Sequence, residues 1–380
     1  MIKDGHLHNV PALRFPEFSG EWEYKCLGEI GQPLIGLTYS PSDVVKEGGT
    51  IVFRSSNIQN GVIDYGDIVR VSKKIKDSIV TRDGDLLICA RNGSTRLIGK
   101  NAILKKSDEG QTFGAFMMVF RSDENRFVHQ LLSTKAYSTQ VSENLGARIN
   151  QITTRNFAEY TFGMPCTHGE KEKIGAFLEL INERIETQSK IIEEQETLLK
   201  SLRHRIFSKI QAENQCTFGD VLCYEQPNKY LVTDTDYTDD CSKIPVLTAN
   251  KAFILGYTLE NFGIYDKGSC IILDDFTLDC KYVDFCFKVK SSAIKILRAK
   301  TETDLRYIFE YIRFLELNTS EHKRHYIAEI EPMSILLPSK EEADRIARLF
   351  ASFDERLEVA RNELKILVSQ KSYMLQKMFI

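Results

Sequence analysis

Apolar positions along this chain follow two kinds of pattern, and each kind occurs twice. Between residues 174 and 206 they step alternately by four and three: Ile174, Leu178, Ile181, Ile185, Ile192, Leu199, Leu202 and Ile206, with Gln188 and Gln195 as polar interruptions. Adding 172 to each number gives a second run: Ile346, Phe350, Phe353, Leu357, Ala360, Leu364, Leu367, Met374 and Met378, interrupted by Lys371. A period of 3.5 residues held over nearly five heptads predicts a coiled-coil seam, because helices that rest on separate globular cores rarely keep strict four-three spacing so long. Polar residues within such a seam fix register at some cost in stability.

The two runs are copies of one repeat. Residues 170–186 read EKEKIGAFLELINERIE and residues 342–358 read EADRIARLFASFDERLE, without gaps, each following a proline (Pro165 and Pro338). A weaker echo precedes each helix, Leu27-Gly28-Glu29-Ile30 against Phe218-Gly219-Asp220-Val221, at an offset of 191. The predicted order is therefore a globular domain over 1–165, a long helix over 166–215, a second globular domain over 216–337 and a second long helix over 338–380. Short apolar runs bounded by turn residues predict strands at 50–54, 84–90, 267–273 and 283–289. Helical spacing predicts helices at 126–137 and 305–317. The fold class expected is α+β. Two β-rich units stand in tandem, joined by two long helices that pair antiparallel within the chain about a pseudo-two-fold axis.

Composition narrows the function. The chain has 380 residues, 42% apolar and 27% charged, which suits a globular protein of two or three domains. Its longest apolar run, Ala115 to Phe120, is far short of the roughly twenty residues a bilayer span needs. Met1 to His6 lack the apolar core of a secretory signal, and none of the nine cysteines forms a Cys-x-x-Cys pair. A cytoplasmic protein with reduced thiols and no membrane association is expected. The net charge is −3; residues 1–165 carry 20 basic and 18 acidic side chains, residues 216–337 carry 14 and 19. Neither unit is a polycation, so contact with nucleic acid has to come from local clusters, helped by a partner.

Several catalytic signatures are missing: a phosphate-binding Gly-x-x-x-x-Gly-Lys loop, a His-Glu-x-x-His zinc helix and a Gly-x-Ser-x-Gly elbow. No two prolines are adjacent, which removes the Pro-Pro-Tyr motif of amino-methyltransferases. Asp274, Asp275, Asp279 and Lys281 leave one enzymatic alternative open, a metal-dependent nuclease with a coiled-coil dimerisation arm, since carboxylates on neighbouring strands hold Mg²⁺ in such enzymes. Loops that mix arginine, asparagine and hydroxyl residues suit DNA better, because arginine grips guanine, asparagine grips adenine, and hydroxyls bind phosphate or base edges. The first unit offers Arg54, Ser56 and Asn57; Arg91, Asn92, Ser94, Arg96 and Lys100; and Arg148 with Asn150. The second offers Thr248, Asn250 and Lys251, placed at an offset of 193 from the Ser55–Ile58 loop, and Lys323, Arg324 and His325 within a basic-aromatic strip, His322 to Tyr326.

Taken together, these features resemble the specificity subunit of type I restriction–modification systems along nearly the whole chain. The opening Val10-Pro11-Ala12-Leu13-Arg14-Phe15-Pro16, running on to Trp22, looks like that family's usual start. Gly84-Asp85-Leu86-Leu87-Ile88 followed by Gly93-Ser94 looks like the strand-and-loop motif of its target recognition domain, and the two helices look like its central and distal conserved helices. Tyr224 to Pro227, with Tyr257-Thr258 and His322 to Tyr326, looks like a recurrent second recognition domain. The resemblance implies two recognition domains that each read half of a bipartite site on double-stranded DNA. It implies helices that set the spacing and dock two modification subunits, with restriction subunits joining the complex. An ideal helix from Ile174 to Ile206 would span about 50 Å, enough for two half-sites one duplex turn apart. It implies a non-catalytic chain without cofactor of its own; S-adenosylmethionine, Mg²⁺ and ATP belong to the partner subunits.

Overall fold

The structure, a computed structural model, describes residues 9–145, 150–249, 253–300, 304–319 and 323–380. It forms two units, Met1–Ser189 with Glu363–Ile380, and Lys190–Asn362. Each unit holds one β-rich body and half of each long helix, so the division falls inside the helices.

The first body contains β1 (Glu23–Cys26), α1 (Leu27–Ile30), β2 (Gln32–Ile35), β3 (Val44–Val45), β4 (Thr50–Phe53), β5 (Ile58–Gln59), β6 (Val62–Ile63), β7 (Val69–Val71), β8 (Leu86–Cys89), β9 (Asn101–Ile103), β10 (Thr112–Phe113), β11 (Met117–Arg121), α2 (Asn125–Leu131), α3 (Lys135–Asn144), α4 (Thr154–Glu159) and β12 (Thr161–Met164). The long helix α5 (His168–Phe207) follows. The second body has β13 (Asn214–Thr217), α6 (Phe218–Val221), β14 (Leu222–Glu225), β15 (Ile244–Leu247), β16 (Ile254–Thr258), β17 (Cys270–Asp274), β18 (Cys280–Val283), β19 (Lys288–Val289), β20 (Ile294–Ala299), α7 (Leu305–Phe314) and β21 (Ser334–Leu337), and α8 (Lys340–Met378) closes the order.

Beneath the weak sequence echo the two bodies share one topology. A four-stranded sheet runs β2-β11-β8-β9 in the first and β14-β20-β17-β18 in the second. Beside it β4 pairs parallel with β10 and antiparallel with β7, just as β15 pairs parallel with β19 and antiparallel with β16. An antiparallel pair, β1 with β12 or β13 with β21, then leads into each long helix. Strands β8 and β17 are buried on both faces, which is why they read as unbroken apolar runs. Leu86 and Ile88 face one core with Met118 and Phe120; Leu87 and Cys89 face another with Met117 and Val119.

Two predicted elements differ. The stretch 126–137 breaks into α2 and α3, because the Thr134 hydroxyl accepts the Tyr137 amide and starts a new helix. The stretch 283–289 is not one strand: it leaves the four-stranded sheet at Val283 and pairs with β15 from Lys288. Phe285, between them, is exposed.

Both long helices start on a hydroxyl cap and an acidic first turn: the Thr167 hydroxyl accepts the Glu170 amide, and the Ser339 hydroxyl accepts the Glu342 amide. In the second unit Glu196 pairs with Arg361, and Phe207 stacks with Phe350 at 6.3 Å, so partner numbers fall as the chain rises and the helices are antiparallel. Every seam position named from the spacing is buried or half-buried. In the first unit Ile174, Leu178 and Ile181 join the core around Trp22, and so do Met378 and Phe379 from the end of α8. Phe379 lies 6.3 Å from Trp22 and 5.5 Å from Phe127, and the Leu13 amide donates to the Lys377 carbonyl. Phe207 makes the matching closure in the second unit, against Tyr307, Tyr311 and Phe314.

Candidate nucleic-acid interface

In the first unit three loops meet at the ends of β4, β8 and β10. Each is tied by its backbone before any side chain is free to reach a ligand. The Ala90 and Arg91 amides both donate to the Phe116 carbonyl, at 3.0 and 2.9 Å. The Ile152 amide donates to the Ala90 carbonyl, and Arg91 bridges Gln151, so Asn150 and Gln151 join the group. The Asn92 amide nitrogen donates to the Ser55 hydroxyl at 3.0 Å, linking the β4 and β8 loops, while its oxygen accepts the Ser94 amide.

The sequence candidates divide on this frame. Arg91, Ser94, Arg96 and Asn150 are exposed, and Ser56 is half-buried beside them. The Arg91 guanidinium carbon sits 5.1 Å from the centre of the Phe116 ring, within cation–π range, and Phe116 is 59% exposed. Arg54 is committed instead to Asp67, at 2.7 Å. The Ser56 hydroxyl and then Arg54 hold the Asp67 carboxyl below the usual carboxylate range.

Asn57 is a correction to the expectation of direct DNA contact, and Lys100 is engaged in part. Asn57 is buried; its oxygen accepts the Arg54 amide and its nitrogen donates to the carbonyls of Asp64 and Asp67. The Lys100 ammonium donates to the Ile58 carbonyl and ties β5 to the loop after β8. Asn57 thus spends both its donors on the loop frame, and half-buried Lys100 spends one of its three there. Arg148 lies outside the described residues. Phe116 and Ser55 were not among the candidates: Phe116 sits inside an apolar run that reads as buried strand, and its position beside Arg91 depends on a strand pairing distant in sequence.

The same face of the second unit is chemically different. Sheet register matches Phe53 to Leu247 and Cys89 to Asp274. Thr248 therefore takes the place of Arg54, one position away from the offset the sequence suggested. Asp275 takes the place of Ala90, Phe276 that of Arg91 and Ala293 that of Phe116; the Asp275 amide donates to the Ala293 carbonyl as Ala90 does to Phe116. Asn250 and Lys251 lie outside the described residues. Of the basic strip, Lys323 and Arg324 are exposed, with Lys323 3.0 Å from Glu329. His325 is a correction. Its ring is buried between Thr319, 2.9 Å from Nε2, and Glu329, 2.8 Å from Nδ1, so it holds the turn rather than DNA.

These contacts leave the nuclease alternative without support. The Asp274 carboxylate accepts the amides of Phe276 and Thr277 at 2.9 Å. Asp275 is buried, accepts the amides of His325 and Tyr326, and stands 3.5 Å from Lys295. The carboxylates fold the loop. Among the described residues no three His, Cys, Asp or Glu side chains are grouped to hold a metal, and no helix is long and apolar enough to cross a membrane.

Residues 19–197 match the family model described as the type I restriction modification DNA specificity domain. The chain is 39% identical over 168 residues to the specificity subunit of the type I restriction enzyme EcoR124I/EcoR124II of Escherichia coli, covering 41% of this chain and 41% of that one. It is 27% identical over 205 residues to the EcoKI specificity subunit of Escherichia coli strain K12, covering 52% of this chain and 43% of that one. The matched stretch thus spans about two-fifths of each curated relative. Among solved structures, the S subunit of a type I restriction–modification system from M. genitalium shares the fold, with a TM-score of 0.70 at 15% identity over 98% of this chain and 99% of that one. A chain from work on complex assembly and conformational transition of the type I system matches with a TM-score of 0.51 at 14% identity, over 94% and 97% of the two chains.

Proposed function

We propose that this chain is a specificity subunit of a type I restriction–modification system, like the proteins it matches, and that it reads a bipartite DNA site for a partner enzyme. Each β-rich body reads one half-site, and the regions 1–165, 166–215, 216–337 and 338–380 act as recognition domain, helix, recognition domain and helix. The observation that supports this most is a common frame carrying different loops. The same strand register presents Arg91 beside Phe116 in one unit and Phe276 beside Ala293 in the other. Two readers with one architecture and two chemistries suit an asymmetric site.

The chain itself is non-catalytic in this proposal. Methyl transfer with S-adenosylmethionine belongs to two modification subunits, and ATP- and Mg²⁺-dependent translocation and cleavage to restriction subunits, all in the cytoplasm. Docking of the modification subunits falls to the helices, where Ile366 and Tyr373 on α8 and Ile191 and Leu198 on α5 stay exposed at seven-residue spacing. With a net charge of −3, phosphate attraction by the lone chain is weak.

A gel-shift titration at fixed salt, with and without a modification subunit, tests the proposal. Weak binding alone and strong, sequence-specific binding with the partner is expected. Nanomolar specific binding by the lone chain would falsify the partner dependence, and absence of DNA binding in the complex would remove the function.

A further inference from the structure

The Arg91–Phe116 pair differs from the neighbouring cations Arg54 and Lys100. Arg54 is taken by Asp67, and Lys100 by a backbone carbonyl. Arg91 has no carboxylate and no hydrogen-bond acceptor on its guanidinium among the described residues, and the group rests over an aromatic ring. Both partners are fixed at the root. The Phe116 carbonyl takes the amides of Ala90 and Arg91, the Ala115 amide donates to Leu37, and the Gly114 amide donates to Phe53. The ring therefore cannot withdraw into the core without breaking strand contacts, although it is 59% exposed to water.

An exposed phenylalanine so held costs solvation, and that cost is recovered only against an apolar surface. Phosphates are hydrated anions and provide none. The floor of the major groove does, through base edges and thymine methyl groups. A guanidinium restrained by a ring also keeps its planar fork pre-organised, which favours a two-point acceptor over a point charge. Guanine presents such a pair, O6 and N7, on one edge.

Resting on the proposed function above, we propose that Arg91 reads a guanine of the half-site assigned to the first unit, and that Phe116 is the positioning residue that holds its guanidinium in the groove. Arg96, exposed on the next turn of the same loop, serves the phosphate backbone. The second unit has Phe276 and Ala293 at the matching places, so its half-site is read by another device.

The test uses the full chain co-expressed with its modification subunits, comparing wild type with Arg91→Lys, Phe116→Ala, the double variant and Arg96→Ala. The methylated motif is read by sequencing host DNA. Wild type should require one G·C pair that Arg91→Lys and Phe116→Ala both relax. Discrimination there should fall roughly 10- to 100-fold for Arg91→Lys, as loss of a bidentate contact implies. The double variant should be no worse than Arg91→Lys, because the ring acts through the arginine. Arg96→Ala should lower methylation at all sites alike. Thermal unfolding of each variant checks that the exposed substitutions leave the fold intact. Uniform weakening by Arg91→Lys, relaxation at an A·T position, or unchanged specificity in Phe116→Ala would overturn the proposal. A wild-type complex that methylates without any sequence preference would instead remove the reading on which it rests.

Discussion

Glu310 shows how charge is used inside the second unit. Its carboxylate is fully buried on α7; one oxygen accepts from Arg203 of α5 at 2.8 Å, the other from Arg306 at 3.2 Å, and Arg306 also meets Asp354 of α8. Burial lowers the Arg203 pKa, against the pull of Glu310, and the Arg203 guanidinium also covers the Phe350 ring. Removing the shared acceptor leaves a buried cation, so Glu310→Ala should cost about 3–5 kcal/mol in denaturant unfolding. Loss of less than about 1 kcal/mol would show that water replaces it. Glu260 carries a pH signature. Burial opposes its ionised form, but Lys288 at 2.6 Å, the Thr233 hydroxyl and the amides of Thr233 and Asp234 outweigh this and draw its pKa from 4.5 to about 2. A lowered carboxyl pKa stabilises the fold above the unfolded value and loses that contribution as pH falls through the folded one. The second unit should therefore lose stability from about pH 4.5 toward pH 2, and Glu260→Gln should flatten that part of the curve in acid titration by circular dichroism.

At the scale of elements, the long helices test the seam. Ile181→Asp should cost about 2–5 kcal/mol, Leu364→Asp at a half-buried position less, and Leu198→Asp, on the exposed side, under about 0.5 kcal/mol. Equal losses at all three, measured by thermal unfolding, would remove the distinction between seam and outer face. These helices were the most legible part of the sequence because their pattern is local: each apolar position is defined by neighbours three or four residues away. The sheets were less so. The parallel pairing of Thr112 with Val52 joins residues far apart in the chain, and no period announces it. The end of a strand was equally hidden where Val283 and Val289 keep one alternation yet serve different sheets. In the candidate interface, residue type picked out loops that the fold of the first unit brings together, but not the roles within them. Asn57 and His325 have the composition of base readers, and burial turned both into braces. Phe116 reads as core, and its root in three loops keeps it outside.

For the whole molecule, the shared topology makes exchange the decisive experiment. Replacing residues 216–337 with the matching segment of a relative should change one half of the methylated motif and leave the other half intact; a change in both halves would deny independent reading. Partnership within the chain runs against its numbering, however. Trp22, Phe127, Ile174 and Leu178 wait for Met378 and Phe379 to complete their core, whereas the unit built from Lys190–Asn362 contains all its own residues. On the ribosome that inverts the usual order of folding. At about 5–20 residues per second, the segment from Phe207 to Phe379 takes roughly 9 to 34 seconds to synthesise, and through that interval the amino-terminal unit stands open. The half made second is the half that can fold first. Nascent chains arrested near residue 370 should accordingly yield a protease-sensitive first unit, and chains long enough to free Met378 and Phe379 should protect it.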